Sequence, residues 1–157
     1  RWVAQGGFAG EGVVPRDRQM DKFLGKEVCP TWNFGGNVPA ARAALASDRI
    51  GRKICVSKNV CHSVVYDAAW HEALRAAAAV GAREAPTKRW PGALLLMHQA
   101  MDAYLRKKPG GKKLHDPLAL AVALDESVCE LAEVELFCQK GQWGSRLSPG
   151  SGTWISV

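Results

Sequence analysis

Four histidines, five cysteines and one dense basic cluster are the side chains here whose types could carry chemistry. Imidazole can transfer protons near neutral pH or ligate a metal, and a thiolate can attack or ligate. Cys29, Cys55, Cys61, Cys129 and Cys138 are odd in number and no two are spaced C-x-x-C, which argues against a zinc knuckle and against a disulfide framework. Cys55 and Cys129 sit in apolar runs and read as small buried hydrophobes, a usage that suits a reducing compartment. His71 and His98 fall inside helical stretches and are expected to play no catalytic part. His115 precedes Asp116-Pro117, where Asp116 has the makings of a helix N-cap, and a solitary histidine in that setting reads as surface or hydrogen-bonded. Arg106, Lys107, Lys108, Lys112 and Lys113 surround Pro109-Gly110-Gly111 without an interleaved aromatic residue. The stacking platform of a single-strand binder is missing, so this reads as a solvated loop and nucleic acid is not an expected partner.

The elements that must position these residues belong to an ordinary globular chain. Its 157 residues match one domain (1–157), and 47% hydrophobic with 23% charged residues excludes collagen-like, coiled-coil and wholly disordered chains. The net charge of +6 is moderate. No run reaches the roughly 18–20 apolar residues that cross a bilayer, so no membrane insertion is expected and an intracellular location, in the cytoplasm or an organelle, is. Trp2-Val3-Ala4 reads as a strand entering the glycine turn at residues 6–10, and an opening directly on a core strand suggests that something precedes it. Residues 15–28 read as a loop, and Pro39–Ser47 as a helix. Ile54-Cys55-Val56 reads as a buried strand followed by turn chemistry at Ser57-Lys58-Asn59. Asp67 should cap a helix over Ala68–Val80 that Gly81 stops. A second helix is expected over Pro91–Lys107, with Leu94, Met97, Met101, Tyr104 and Leu105 on one face, and a third from Asp116 or Pro117 to Leu124. Val128–Phe137 reads as a strand, followed by a terminal hairpin around Trp143 and Trp154. The fold class expected is α/β, in layers.

Three segments together resemble the nucleoside hydrolases, calcium-dependent enzymes that split the N-glycosidic bond of ribonucleosides in nucleoside salvage. Thr31-Trp32-Asn33-Phe34-Gly35-Gly36-Asn37-Val38-Pro39-Ala40-Ala41 is similar to that family's E-F-N-x-x-x-D-P-x-A-A. Lys58-Asn59-Val60-Cys61-His62 is similar to L-D-V-T-H, and His115-Asp116-Pro117-Leu118-Ala119-Leu120-Ala121 to H-D-P-x-A. The order holds across nearly all of the chain, and the glycine turn at 6–10 matches the passage before the ribose-binding segment. The resemblance implies the C-terminal half of a Rossmann-like, mostly parallel sheet with a terminal hairpin. It implies Asp116 as a calcium ligand, His115 as proton donor to the departing base, Asn33 and Thr31 against the ribose hydroxyls, and Trp32 beside the sugar. His62 occupies a position where the family also has a histidine, and is assigned to architecture.

Departures from the pattern set the remaining expectations. Thr31 replaces the family's acid, and Asn37-Val38 replaces its D-P pair. Nothing here resembles the D-x-D-x-x-x-D-D loop that supplies most of the calcium carboxylates; Asp17 to Asp21 has neither the pattern nor the position. Calcium takes 6–8 oxygens, so it is expected only if the missing carboxylates come from an N-terminal half or a partner chain. A half-fold exposes apolar surface, which predicts association or an oligomer. The chain alone is not expected to be active. The competing reading is a non-catalytic structural or interaction subunit that keeps the fold within a larger assembly.

Overall fold

Short apolar runs and alanine- and leucine-rich stretches alternate along the chain, and a computed structural model that describes residues 1–157 shows the elements they form. In order these are β1 (Trp2–Gln5), β2 (Val28–Cys29), α1 (Trp32–Gly36), α2 (Val38–Ala46), β3 (Lys53–Val56) and α3 (Lys58–Cys61). There follow β4 (Val65–Tyr66), α4 (Ala68–Glu84), α5 (Trp90–Lys107) and β5 (Lys112–Lys113), then α6 (His115–Leu124), β6 (Leu131–Gln139), β7 (Gln142–Leu147) and β8 (Thr153–Ser156). They sort into two units: Arg1–Val64 with Leu114–Val157, and Val65–Lys113.

The first unit is a mixed α/β layer structure on a six-stranded sheet of order β1-β3-β8-β6-β7-β2. β1, β3 and β8 run parallel, whereas β6, β7 and β2 join antiparallel. Every residue of β3 is buried, as a strand covered on both faces requires. Ile54 and Val56 face Val122, Leu118 and Ala119 of α6. Cys55 faces the other way, toward Phe34, Val134, Trp143 and Ile155, with Val38, Ala41 and Leu45 of α2 closing that side. Trp143 meets Phe34 edge to face at 5.2 Å, a favoured aromatic geometry. Residues 15–28 are two tight turns, Arg16–Arg18 and Asp21–Phe23, leading into β2, not a featureless loop.

The terminal hairpin differs from the one expected. β6 and β7 form it, turning at Lys140-Gly141, where φ is 48° and 78°. β8 pairs instead with β3 and β6. Trp143 and Trp154 therefore lie on non-adjacent strands. The loop at Ser148–Gly152 carries the chain across β6, held by Glu133, whose carboxylate accepts the Gly150 and Gly152 N–H groups at 2.8 Å each.

The second unit is the helix pair α4/α5 with the two-stranded β4/β5 ribbon. Asp67 caps α4 as expected, accepting from the Trp70 N–H at 3.0 Å. The helix does not stop at Gly81, however, but continues to Glu84. Gly81 is there for proximity: a Cβ at this position would run into the Trp90 ring of α5. His71 and His98 stack at 4.0 Å across the pair, and the Tyr66 hydroxyl lies 3.0 Å from His71 Nδ1. No helix of the chain is long and apolar enough to cross a membrane.

Candidate functional site

In open α/β sheets, ligands bind beyond the carboxyl ends of the parallel strands, where the connecting loops diverge. Here those ends are tied together by hydrogen bonds. The Gly6 N–H donates to the Val56 carbonyl and the Lys58 N–H to the Gly7 carbonyl, both at 3.1 Å, and the Ser57 N–H donates to Ser156 Oγ at 2.9 Å. Ser57 also caps α3, its Oγ accepting from the Val60 N–H at 3.3 Å. This single helical turn delivers Cys61 and His62 to the edge. α6 begins at the same edge, where the Leu114 N–H donates to the Val64 carbonyl at 3.0 Å. Its far end reaches the opposite edge, where Arg1 donates to the Ala123 carbonyl at 2.5 Å.

The result is a close group of Cys61, His62 and His115, whose ligand atoms all lie within 4.8 Å of one another. The His62 and His115 rings stack, 4.8 Å between centroids and 16° apart, and Phe23 meets His62 edge-on at 5.6 Å. Lys22 Nζ stands 2.8 Å from His62 Nδ1. An ammonium can only donate, so Nδ1 is the acceptor. Cys61 is fully buried, its Sγ accepting from Gln5 Nε2 at 3.2 Å and donating to the Lys58 carbonyl at 3.8 Å. Gln5 also binds Asn33, whose Nδ2 donates to the Gln5 Oε1 at 2.8 Å and to its backbone carbonyl at 3.0 Å. One glutamine at the end of β1 thus bridges Asn33 to the cysteine beside His115. Cys55, in β3, packs in the cluster on the other face of the sheet, and burial pushes its thiol up to about 12.

The expected sugar-binding residues divide between two places. Thr31 and Trp32 line a cleft of about 390 Å³ with Pro30, Gly35, Gly36 and Lys58. Thr31 is 4% exposed and its Oγ1 has no hydrogen-bond partner, whereas the Trp32 ring is 92% exposed. Asn33 does not line that cleft; it turns to Gln5. Asn37 has a structural task as N-cap of α2, its Oδ1 accepting from the Ala40 N–H at 3.0 Å.

Asp116 is not the helix N-cap that its place before Pro117 suggests. α6 starts one residue earlier, Leu114 stands at the cap position, and Asp116 lies in the first turn, where its charge suits the helix dipole. Nor do the residues present fit calcium. The one close group of three His, Cys, Asp or Glu ligands in the chain offers sulfur and nitrogen and includes no carboxylate, whereas calcium requires a cage of oxygens. Gln5, Lys22 and Cys61 are the residues of this group that sequence reasoning missed, and His62, assigned there to architecture, stands within it. The adjacent Cys61-His62 pair was the one available signal, and its third member lies far along the chain. Compared with family models, curated proteins and solved structures, the chain matches none.

Proposed function

We propose that this chain forms the sugar-gripping and proton-donating side of a ribonucleoside N-ribohydrolase-like cleft, completed by a further segment or a partner chain. The observation that carries this reading is the Gln5 bridge. Three sequence segments that resemble the nucleoside hydrolases, 31–41, 58–62 and 115–121, converge at one edge of the sheet, with Asn33, Cys61 and His115 linked through that glutamine or in direct proximity. Cleaving an N-ribosidic bond builds positive charge on the sugar ring and leaves electrons on the departing base. An acid that protonates the base as it leaves contributes about 10²–10⁴-fold. His115 is that acid in this reading, its ring held by the His62 stack. Asn33, whose amide nitrogen is held by Gln5, keeps its Oδ1 to accept from a ribose hydroxyl.

The completing part has two surfaces to occupy. β1 pairs with β3 alone and stands at the edge of the sheet, so a further strand can add to it. α6 is apolar on both sides: Val122 is buried while Leu120 and Leu124 are 63% and 79% exposed. A helix apolar all round belongs in an interior. Any calcium carboxylates must come with that part, since this chain does not provide the cage. The test is reconstitution with a segment bearing an aspartate-rich loop, with calcium, followed by assay of base release from purine and pyrimidine ribonucleosides. Release that falls about 10²–10⁴-fold in His115→Ala is expected. An assembled, folded complex that releases no base from any ribonucleoside refutes the proposal. That outcome favours the interaction-subunit reading, which the open β1 edge and the lack of a carboxylate in the Cys61 group already support.

A further inference from the structure

The mismatch with calcium points to a different ion. We propose that Cys61, His62 and His115 form a three-ligand site for a borderline-soft divalent cation of the zinc type, with the fourth position open to solvent or ligand. One thiol and two imidazoles are the donors zinc selects, at metal–ligand distances of about 2.0–2.3 Å, and an incomplete protein shell is the form that leaves room for a small ligand. Tetrahedral coordination at those distances sets ligand atoms about 3.3–3.8 Å apart. The present spread of up to 4.8 Å therefore closes by side-chain rotation of about 1 Å.

The surroundings suit such a site. Sγ of Cys61 already accepts a hydrogen bond from Gln5, and Gln5 is fixed in turn by Asn33, the kind of outer support that orients a ligand and steadies its negative charge. His62 is clamped between Phe23 and His115. The exposed Lys22 ammonium, 2.8 Å from His62 Nδ1, opposes a cation and must swing into solvent for Nδ1 to ligate. Lys22→Met should consequently tighten binding. This inference concerns the chain alone and does not depend on the hydrolase reading. Should both hold, metal on His115 occupies the lone pair of the proton donor, and zinc is an inhibitor.

The test is titration of the full 157-residue chain with cobalt(II), a coloured substitute for zinc, without any nucleoside present. Expected are one equivalent bound, a thiolate-to-metal charge-transfer band, intense tetrahedral absorption, displacement by zinc and none by calcium. Cys61→Ser should abolish the charge-transfer band. Cys61→Ser, His62→Gln and His115→Gln should each weaken binding by more than the roughly 10–100-fold that an outer-shell partner is worth, while Cys138→Ser changes nothing. The proposal is overturned by a folded chain that binds no cobalt, by bound cobalt without a thiolate band, or by undiminished affinity in His115→Gln. The last variant keeps the test decisive if Cys61→Ser fails to fold. Because the readout is a spectrum, its failure is separate from failure to release a base.

Discussion

Charges on this chain act through a few well-placed partners. Glu126 receives Arg52 through two nitrogens, with the closest contact at 2.6 Å, and Arg1 at 3.1 Å. The Arg52 hydrogen bonds, and Arg1 after them, hold its carboxyl below the usual range. A depressed folded-state pKa stabilises the fold above the unfolded value, about 4.3 for glutamate, and that contribution disappears as pH falls through the lower folded value. Glu126→Gln should therefore melt earlier than the parent chain at pH 7, and the two melting curves should converge once the pH falls below the lowered folded-state value. A gap that persists unchanged at acid pH shows that the side chain acts by shape, not charge. Arg52 also lies over the Trp154 ring at 4.7 Å, so its own replacement removes packing as well as charge.

At the scale of elements, the turn between β6 and β7 offers a gain. Lys140 adopts φ 48°, a left-handed conformation that is unfavourable for a residue with a long side chain, beside Gly141 at 78°. Lys140→Asn should stabilise the chain by about 0.5–1 kcal/mol, seen as a higher urea midpoint at unchanged slope. Helices were the most legible parts of the sequence because their signals are local. Asp67 announced α4, and the apolar spacing through Leu94, Met101, Tyr104 and Leu105 announced α5, although Met97, expected on the same face, is 54% exposed. The end of α4 was not legible, since Gly81 answers to Trp90 on another helix and not to its own neighbours. Strand partners were invisible for a similar reason. Nothing near Trp154 reveals that β8 joins β3 and β6 in place of β7. The Cys61 group follows the same rule: His115 stood out in the sequence only through a resemblance, whereas its nearness to Cys61 and the role of Gln5 depend on distant segments meeting in space.

On the scale of the whole molecule, the first unit leaves Leu120 and Leu124 of α6 exposed and the outer edge of β1 without a neighbouring strand. If a completing part covers α6, Leu120→Ser with Leu124→Ser should lower the melting temperature of the isolated chain by no more than about 4 °C, because both side chains already face solvent. The same pair should weaken association with that part by at least tenfold in a binding titration. A marked loss of stability in the isolated chain, with association unaffected, assigns the two leucines to internal packing instead.

β8 lies between β3 and β6, and through it the parallel and antiparallel parts of the sheet become one. Its residues are translated roughly a hundred positions after β3. At about 5–20 residues per second, a nascent β3 waits on the order of 5–20 s for its neighbour. During that interval Ile54 and Val56 have only one flanking strand, so the nascent segment presents an unpaired strand edge, the kind of surface that invites aggregation until β8 is made.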